Sequence, residues 1–117
     1  MKSLISLPEN EGTKIHYDMV NHIVLFKLKE YPADEKAAII AELKEMLEAL
    51  QKKIFEVKYV EVGVNYELNA KSYDIALISH FESVRDLDAY REHPAHLKVV
   101  ERIKETTVER AAVDYFI

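Results

Sequence analysis

The feature that most constrains this chain is a strand that is apolar on both sides. In Val20 to Lys29 (VNHIVLFKLK) the side chains alternate between faces, putting Val24, Phe26 and Leu28 on one side and Ile23 and Leu25 on the other. Tyr73 to Glu82 (YDIALISHFE) repeats the pattern, with Tyr73, Ile75, Leu77, Ser79 and Phe81 on one face and Ala76 and Ile78 on the other. Helices can cover only one face of a single sheet, so the second apolar face of these strands requires cover from elsewhere.

The segments between them supply the layers. Tyr31-Pro32 ends the first strand, and Asp34 is expected to cap a helix running to about Ile54. Ala37, Ile40, Leu43, Leu47, Leu50 and Ile54 recur at spacings of three and four and make one stripe of that amphipathic helix, about 30 Å long. Val57 to Tyr66 alternates as a strand in which Gly63 is expected to mark a bulge or a close backbone approach. Glu67 to Ser72 reads as a turn. After the third strand, Ser83 caps a short helix to about Glu92, with Asp86 placed as in a capping box. His93-Pro94 interrupts it, and Pro94 opens a further helix to about Glu109 with Leu97, Val100, Ile103 and Thr107 as its inward stripe. Ala111 to Ile117 (AAVDYFI) is the last strand. The order β-α-β-β-α-β, with the second helix broken in two, predicts an α+β, ferredoxin-like antiparallel sheet with helices on one face. A second copy packed sheet to sheet covers the other face, which predicts a homodimer closing face to face into an α/β barrel.

Composition sets the remaining bounds. The chain has 117 residues, 49% hydrophobic and 32% charged, with only two Gly and three Pro, which is one folded domain rather than a disordered segment. Sixteen Lys and Arg against 21 Asp and Glu leave a net charge of −5 with no basic cluster, which argues against a nucleic-acid partner. The absence of Cys removes thiol nucleophiles, thiolate metal sites and disulfides. Residues 1–18 have no clear period and read as an N-terminal extension to a domain over 19–117. Ser3, Ser6 and Pro8 interrupt the opening residues, so they do not read as a signal peptide, and no stretch approaches the roughly 20 apolar residues of a membrane span. A cytoplasmic location away from any membrane is expected.

From about Met19 to the C-terminus the chain resembles the stress-responsive A/B barrel (Dabb) domain family, a branch of the dimeric α/β-barrel proteins. The resemblance rests on MVNHIVLFKLK, YDIALISHFESVRDLDAY, HPAHLKVV and the terminal VDY. It implies the fold reached above from periodicity. The family includes a plant polyketide cyclase that closes a linear β-keto chain by intramolecular aldol condensation. Tyr90 and His96 resemble its catalytic pair, and His22 resembles its pocket histidine on the first strand. This chain departs from that enzyme in having no aromatic residue on its first helix between Asp34 and Ile54, and the branched Val99 and Val100 after its HPAH segment in place of glycines.

The residues themselves allow both chemical and structural readings. His96 falls on the first turn of a helix, where the dipole favours a neutral imidazole that can act as a base. With Tyr90 in the same cavity, the hydroxyl would hold a carbonyl oxygen while His96 removes a proton from the adjacent carbon. The alternative is a His and a Tyr that close a helix junction. His22 shares a strand face with Val24 and Phe26; it meets ligand if that face is the barrel interior and is a core histidine if the face lies beneath the helices. His93 is expected to satisfy backbone groups at the helix start, and His80 to be a partly exposed structural residue. His93 and His96 lack a third ligand, so neither a metal nor a cofactor is expected. Tyr59, Tyr66 and Tyr73 are assigned to strand packing or a dimer rim, and the charges of the long helix to its solvated face.

The expected site is an apolar cavity between the sheet and the broken helix, with His22, Tyr90 and His96 as polar groups and Val24, Phe26, Leu77 and Leu97 as walls. Its ligand would be a small, partly apolar carbonyl compound, transformed, if at all, by cyclase-, lyase- or isomerase-like acid–base chemistry. A non-catalytic stress-response module that binds a ligand or protein, and a cofactor-free monooxygenase acting on quinols, are the alternatives.

Overall fold

The computed structural model describes residues 19–69 and 71–117, so the expected extension over 1–18 lies outside the described residues. The elements are β1 (Val20–Leu28), α1 (Ala33–Lys53), β2 (Tyr59–Val64), β3 (Ile75–Phe81), α2 (Val84–Glu92), α3 (Pro94–Thr106) and β4 (Thr107–Phe116). The strands form one antiparallel sheet in the order β2-β3-β1-β4, the ferredoxin-like arrangement that the element order predicts. The helices lie on one face. Beneath them are Val20, Val24, Phe26 and Leu28 of β1, Val62 of β2 and Ile75, Leu77 and Phe81 of β3, packed against Ile39, Ile40, Leu43, Leu47 and Leu50 of α1.

Several boundaries differ from the sequence expectation. Asp34 is not the cap of α1: Pro32 holds that position, its fixed φ of −57° pre-setting the chain and its carbonyl accepting the first helical N–H from Lys36. Asp34 and Glu35 lie instead in the first turn, and Lys52 and Lys53 in the last, where both signs complement the dipole. Ala37 is exposed rather than part of the buried stripe. β4 starts at Thr107, earlier than Ala111, because the β-branched run Thr106-Thr107-Val108 favours extended backbone. The hydroxyls of Thr106 and Thr107 donate to the carbonyls of Arg102 and Ile103, at 2.9 and 2.8 Å, and close the helix end. With α3 ending there, its buried residues are Val99, Ile103 and Thr106, whereas Leu97 is half exposed. Gly63 marks neither a bulge nor a close approach, since a Cβ there would meet open space. The irregularity falls in the β1–β4 pairing, between Lys27 and Leu28, where the chain leaves α3. β2 and β3 are each shorter than the apolar alternation suggests.

The helix breaks follow the local chemistry. The Ser83 hydroxyl accepts the Asp86 N–H at 3.1 Å and starts α2. His93 ends α2 in extended conformation, and its Nδ1 accepts the Ala95 N–H at 3.0 Å to start α3, with Pro94 in the first helical position. Arg102 of α3 donates twice to Glu42 of α1, both at 2.8 Å, tying the two helices across the top of the core.

The opposite face of the sheet carries Ile23 and Leu25, Ala76 and Ile78, and Ala111 and Val113 in adjacent rows. On β1 and β3 they are less buried than the helix-side residues beside them, and no described helix covers this face. Tyr59 stacks on His80 at this face, and Asn21 donates to the Tyr115 hydroxyl at 2.9 Å. Tyr66 is exposed, so of its two expected roles strand packing within the subunit does not hold.

One buried carboxylate anchors the end of β1. Asp74 is 1% exposed, accepts the Leu28 N–H at 2.8 Å and pairs with the Lys36 ammonium at 3.2 Å. Lys36 also donates to the Leu68 carbonyl. Asp74→Ala would strand a buried N–H and a largely buried ammonium together, and is expected to cost about 3 kcal/mol of stability. Urea unfolding measures it, and a loss below about 1 kcal/mol would show that water takes over the role of the carboxylate.

Candidate functional site

A cavity of about 610 Å³ lies between the sheet and the broken helix, lined by His22, Val24, Phe26, Leu77, Tyr90, His96 and Leu97. The fold therefore brings together every residue that the sequence reading selected. Leu47 of α1 and Val99, Val100 and Ile103 of α3 complete its apolar wall, and Arg91, Lys104, Thr107, Val108, Glu109 and Arg110 its rim. The branched Val99 and Val100 line the space without closing it. His22 answers to both alternatives open for it: it lies beneath the helices, and that is the side on which the cavity opens.

Three elements aim the polar groups. His22 comes from the central strand, Tyr90 from the end of α2 and His96 from the first turn of α3, so the His93-Pro94 break turns two helix ends toward one point of β1. The rings of Tyr90 and His96 are 4.2 Å apart between centroids, those of Tyr90 and His22 6.2 Å, and Phe81 packs against both Tyr90 and His22. Tyr90 is 2% exposed, yet its hydroxyl makes no hydrogen bond among the described residues. Burial pushes that hydroxyl up to about 12, with Arg110 and Arg91 pulling weakly the other way, so it remains a protonated donor.

Both histidines are held neutral. The Nδ1 of His96 is 3.1 Å from the Arg91 carbonyl, which can only accept, so Nδ1 carries the proton and Nε2 keeps a lone pair. Burial lowers its pKa against the raising effect of that bond. The lowered value agrees in direction with the helix-start expectation, but its largest cause is desolvation. His22 is 4% exposed and donates through Nδ1 to the Asp114 carboxylate, which leaves its Nε2 with a lone pair too. Burial outweighs the hydrogen bond and charge of Asp114, and the net direction for His22 is down. Asp114 also accepts from Arg91 at 3.0 Å, and Arg91 donates to Asp88 at 3.1 Å, so a charged chain runs from the cavity to the surface.

Asp114 is the residue that the sequence reading missed as a site component. Its signal was a lone carboxylate in the last strand, two positions from Ala112 on the same face, but its partner is settled only by the β1–β4 register, which places it opposite His22. Of the other described histidines, His93 serves as a helix cap and His80 is part of the stack with Tyr59. Among the described residues no group of three His, Asp or Glu side chains is placed to hold a metal ion, and no helix is long and apolar enough to cross a membrane.

The family described as Stress responsive A/B Barrel Domain matches residues 20–117. The chain belongs to this Dabb family. No curated protein matches it. Among solved structures, this Dabb chain is similar to a dimeric protein of unknown function with a ferredoxin-like fold from Bacteroides fragilis, at 40% identity over 85% of this chain and 96% of that one, with a TM-score of 0.78. It shares the fold of a dimeric ferredoxin-like protein from Thermobifida fusca, at 23% identity over 93% and 100% of the chains and a TM-score of 0.70. It also shares the fold of a hydroxynitrile lyase from Passiflora edulis, at 21% identity over 87% and 95% and a TM-score of 0.73.

The histidine environments set a pH dependence for this Dabb domain. With both folded-state values below the ordinary 6.5, the unfolded chain binds more protons than the folded one in the interval between, so stability rises with pH there and is complete above about 6.5. Urea midpoints are expected to fall between about pH 7.5 and pH 5, and less steeply in the His22→Gln/His96→Gln double variant. Equal pH slopes in the two proteins would refute the burial argument.

Proposed function

We propose that the chain forms a homodimer through the uncovered face of its sheet and that each subunit's cavity binds a small, partly apolar carbonyl compound for acid–base chemistry. The observation that carries the reading is the Tyr90 hydroxyl, which has no hydrogen-bond partner among the described residues and stands beside two imidazoles in the lining of a mainly apolar cavity. The hydroxyl is not among the fully buried polar atoms that lack a partner, so it is open to the cavity, where a carbonyl oxygen can accept its hydrogen bond.

In this reading His96 Nε2 accepts a proton from the carbon next to the carbonyl. The electron pair of that C–H bond forms the carbon–carbon double bond of an enolate, and the charge collects on oxygen, where Tyr90 donates its hydrogen bond. The imidazolium then returns its proton to carbon, which gives exchange or isomerisation, or the enolate carbon attacks a second carbonyl of the same molecule, whose π electrons move to its oxygen, and the imidazolium protonates that alkoxide, which gives cyclisation. In this reading His22, oriented by Asp114 and with its ring 6.2 Å from that of Tyr90, serves as a second proton acceptor or donor. The apolar walls exclude the water that would otherwise solvate the enolate. The fold shared with the hydroxynitrile lyase is compatible with this use of the scaffold.

Hydrogen–deuterium exchange at the methyl group of small aryl methyl ketones, followed by NMR in heavy water, tests the chemistry without the natural substrate. The wild type is expected to accelerate exchange, His96→Gln to remove about a hundredfold of the acceleration or more, and Tyr90→Phe to reduce it by about tenfold to a hundredfold. Ketones that shift cavity resonances without exchanging would leave a binding module and reject the catalytic role. For the dimer, sedimentation is expected to give about twice the chain mass of 13.6 kDa, and charging the uncovered face by Ile78→Lys to reduce it to one chain. A wild type that sediments as a single chain would refute the homodimer.

A further inference from the structure

The rim of the cavity holds positive charge that nothing in the fold uses. Arg110 lies on the face of β4 that carries Asp114, directly across from the wall residue Phe26 in the β1–β4 register. Lys104, in the last turn of α3, lines the same rim. Neither has an ion-pair partner among the described residues. Arg91, by contrast, is engaged by Asp88 and Asp114. One carboxylate, Glu109, also lines the rim and has no ion-pair partner among the described residues. Two cations without an ion-pair partner against one such carboxylate leave this edge of the cavity net positive, against the chain's net charge of −5.

We propose that the ligand of this cavity carries a carboxylate in addition to its carbonyl group, and that Arg110, with Lys104 beside it, holds that carboxylate at the mouth. The inference rests on the reading of the cavity as a ligand site. A guanidinium offers two parallel donors to a carboxylate, and Phe26 next to it gives the apolar body of the ligand a wall to lie on. The charge of Arg110 also reaches the polar end, where it acts on His22, Tyr90 and His96, so a carboxylate bound to it sits within electrostatic range of the reacting groups. The ligand would thus be amphiphilic: an anion outside, a hydrocarbon or aromatic span along the walls, and a carbonyl at Tyr90.

Two probes of the same shape test this, para-acetylbenzoate and its neutral amide, para-acetylbenzamide, titrated into the full chain at about pH 7.5 with binding read from NMR shifts. The wild type is expected to bind the acid about fivefold more tightly than the amide, the size that an exposed ion pair supplies. That preference is expected to vanish in Arg110→Met and to shrink in the wild type when salt rises from about 0.05 to about 0.5 M. The amide binding as tightly as the acid would overturn the anionic anchor and leave the cavity reading standing. A preference that survives in an Arg110→Met/Lys104→Met variant would also overturn the anchor. Neither probe moving any cavity resonance would overturn the ligand-site reading and the anchor with it.

Discussion

The rest of the structure depends on the pairing of β1 along both of its edges. As the central strand it aligns with β3 on one side and β4 on the other, and each register does separate work. The β1–β3 register stacks Val24 on Leu77 and Phe26 on Ile75, which makes the floor of the core. The β1–β4 register places Asp114 beside His22 and Arg110 beside Phe26, which makes the polar equipment of the cavity. A slip of one residue would turn His22 and Phe26 to the uncovered face and bring Ile23 and Leu25 under the helices. Asp74, holding the Leu28 N–H, sits at the end of β1 where such a slip would have to start.

Around that frame, the balance between burial and charge settles the chemistry of the site. Asp114 by itself would favour a charged His22, as a carboxylate beside an imidazole does, yet the depth of His22 under α2 and α3 outweighs it. The carboxylate then acts chiefly by fixing which nitrogen of His22 carries the proton. The Arg91 carbonyl does the same for His96 with a neutral acceptor. Tyr90 completes the set because burial keeps its hydroxyl protonated. Two lone pairs and one O–H donor therefore stand within one apolar enclosure, a combination that water would quench at the surface.

Much of this was legible in the residues. The strands, both helix breaks, the one-sided helix cover and the apolar second face follow from alternation, from the three- and four-residue spacing of α1 and from Pro94. The misplaced details share one cause, the competition between neighbouring local signals. Asp34 is a good cap by type, but Pro32 two positions earlier had already set the helix geometry. Ile103 was expected on the buried side and is there, but the buried stripe around it is Val99 and Thr106, and α3 ends at Thr106, where the β-branched residues turn the chain into β4. Tyr90, His96 and His22 were picked through a family resemblance, not by spacing, and nothing in the local pattern of β4 marked Asp114 as their companion.

What the sequence by itself determined is the set of elements and the two-sidedness of β1 and β3, since both rest on the pleat and the helical turn, which act over a few residues. Only the tertiary structure decided that His22, Tyr90, His96 and Asp114 meet, and that unpaired Arg110 and Lys104 edge the same cavity. His22 and Asp114 are 92 positions apart in the chain, and what joins them is a strand register set by the burial of an entire face. Long-range register depends on the summed packing of both layers, and no short stretch of residues encodes it.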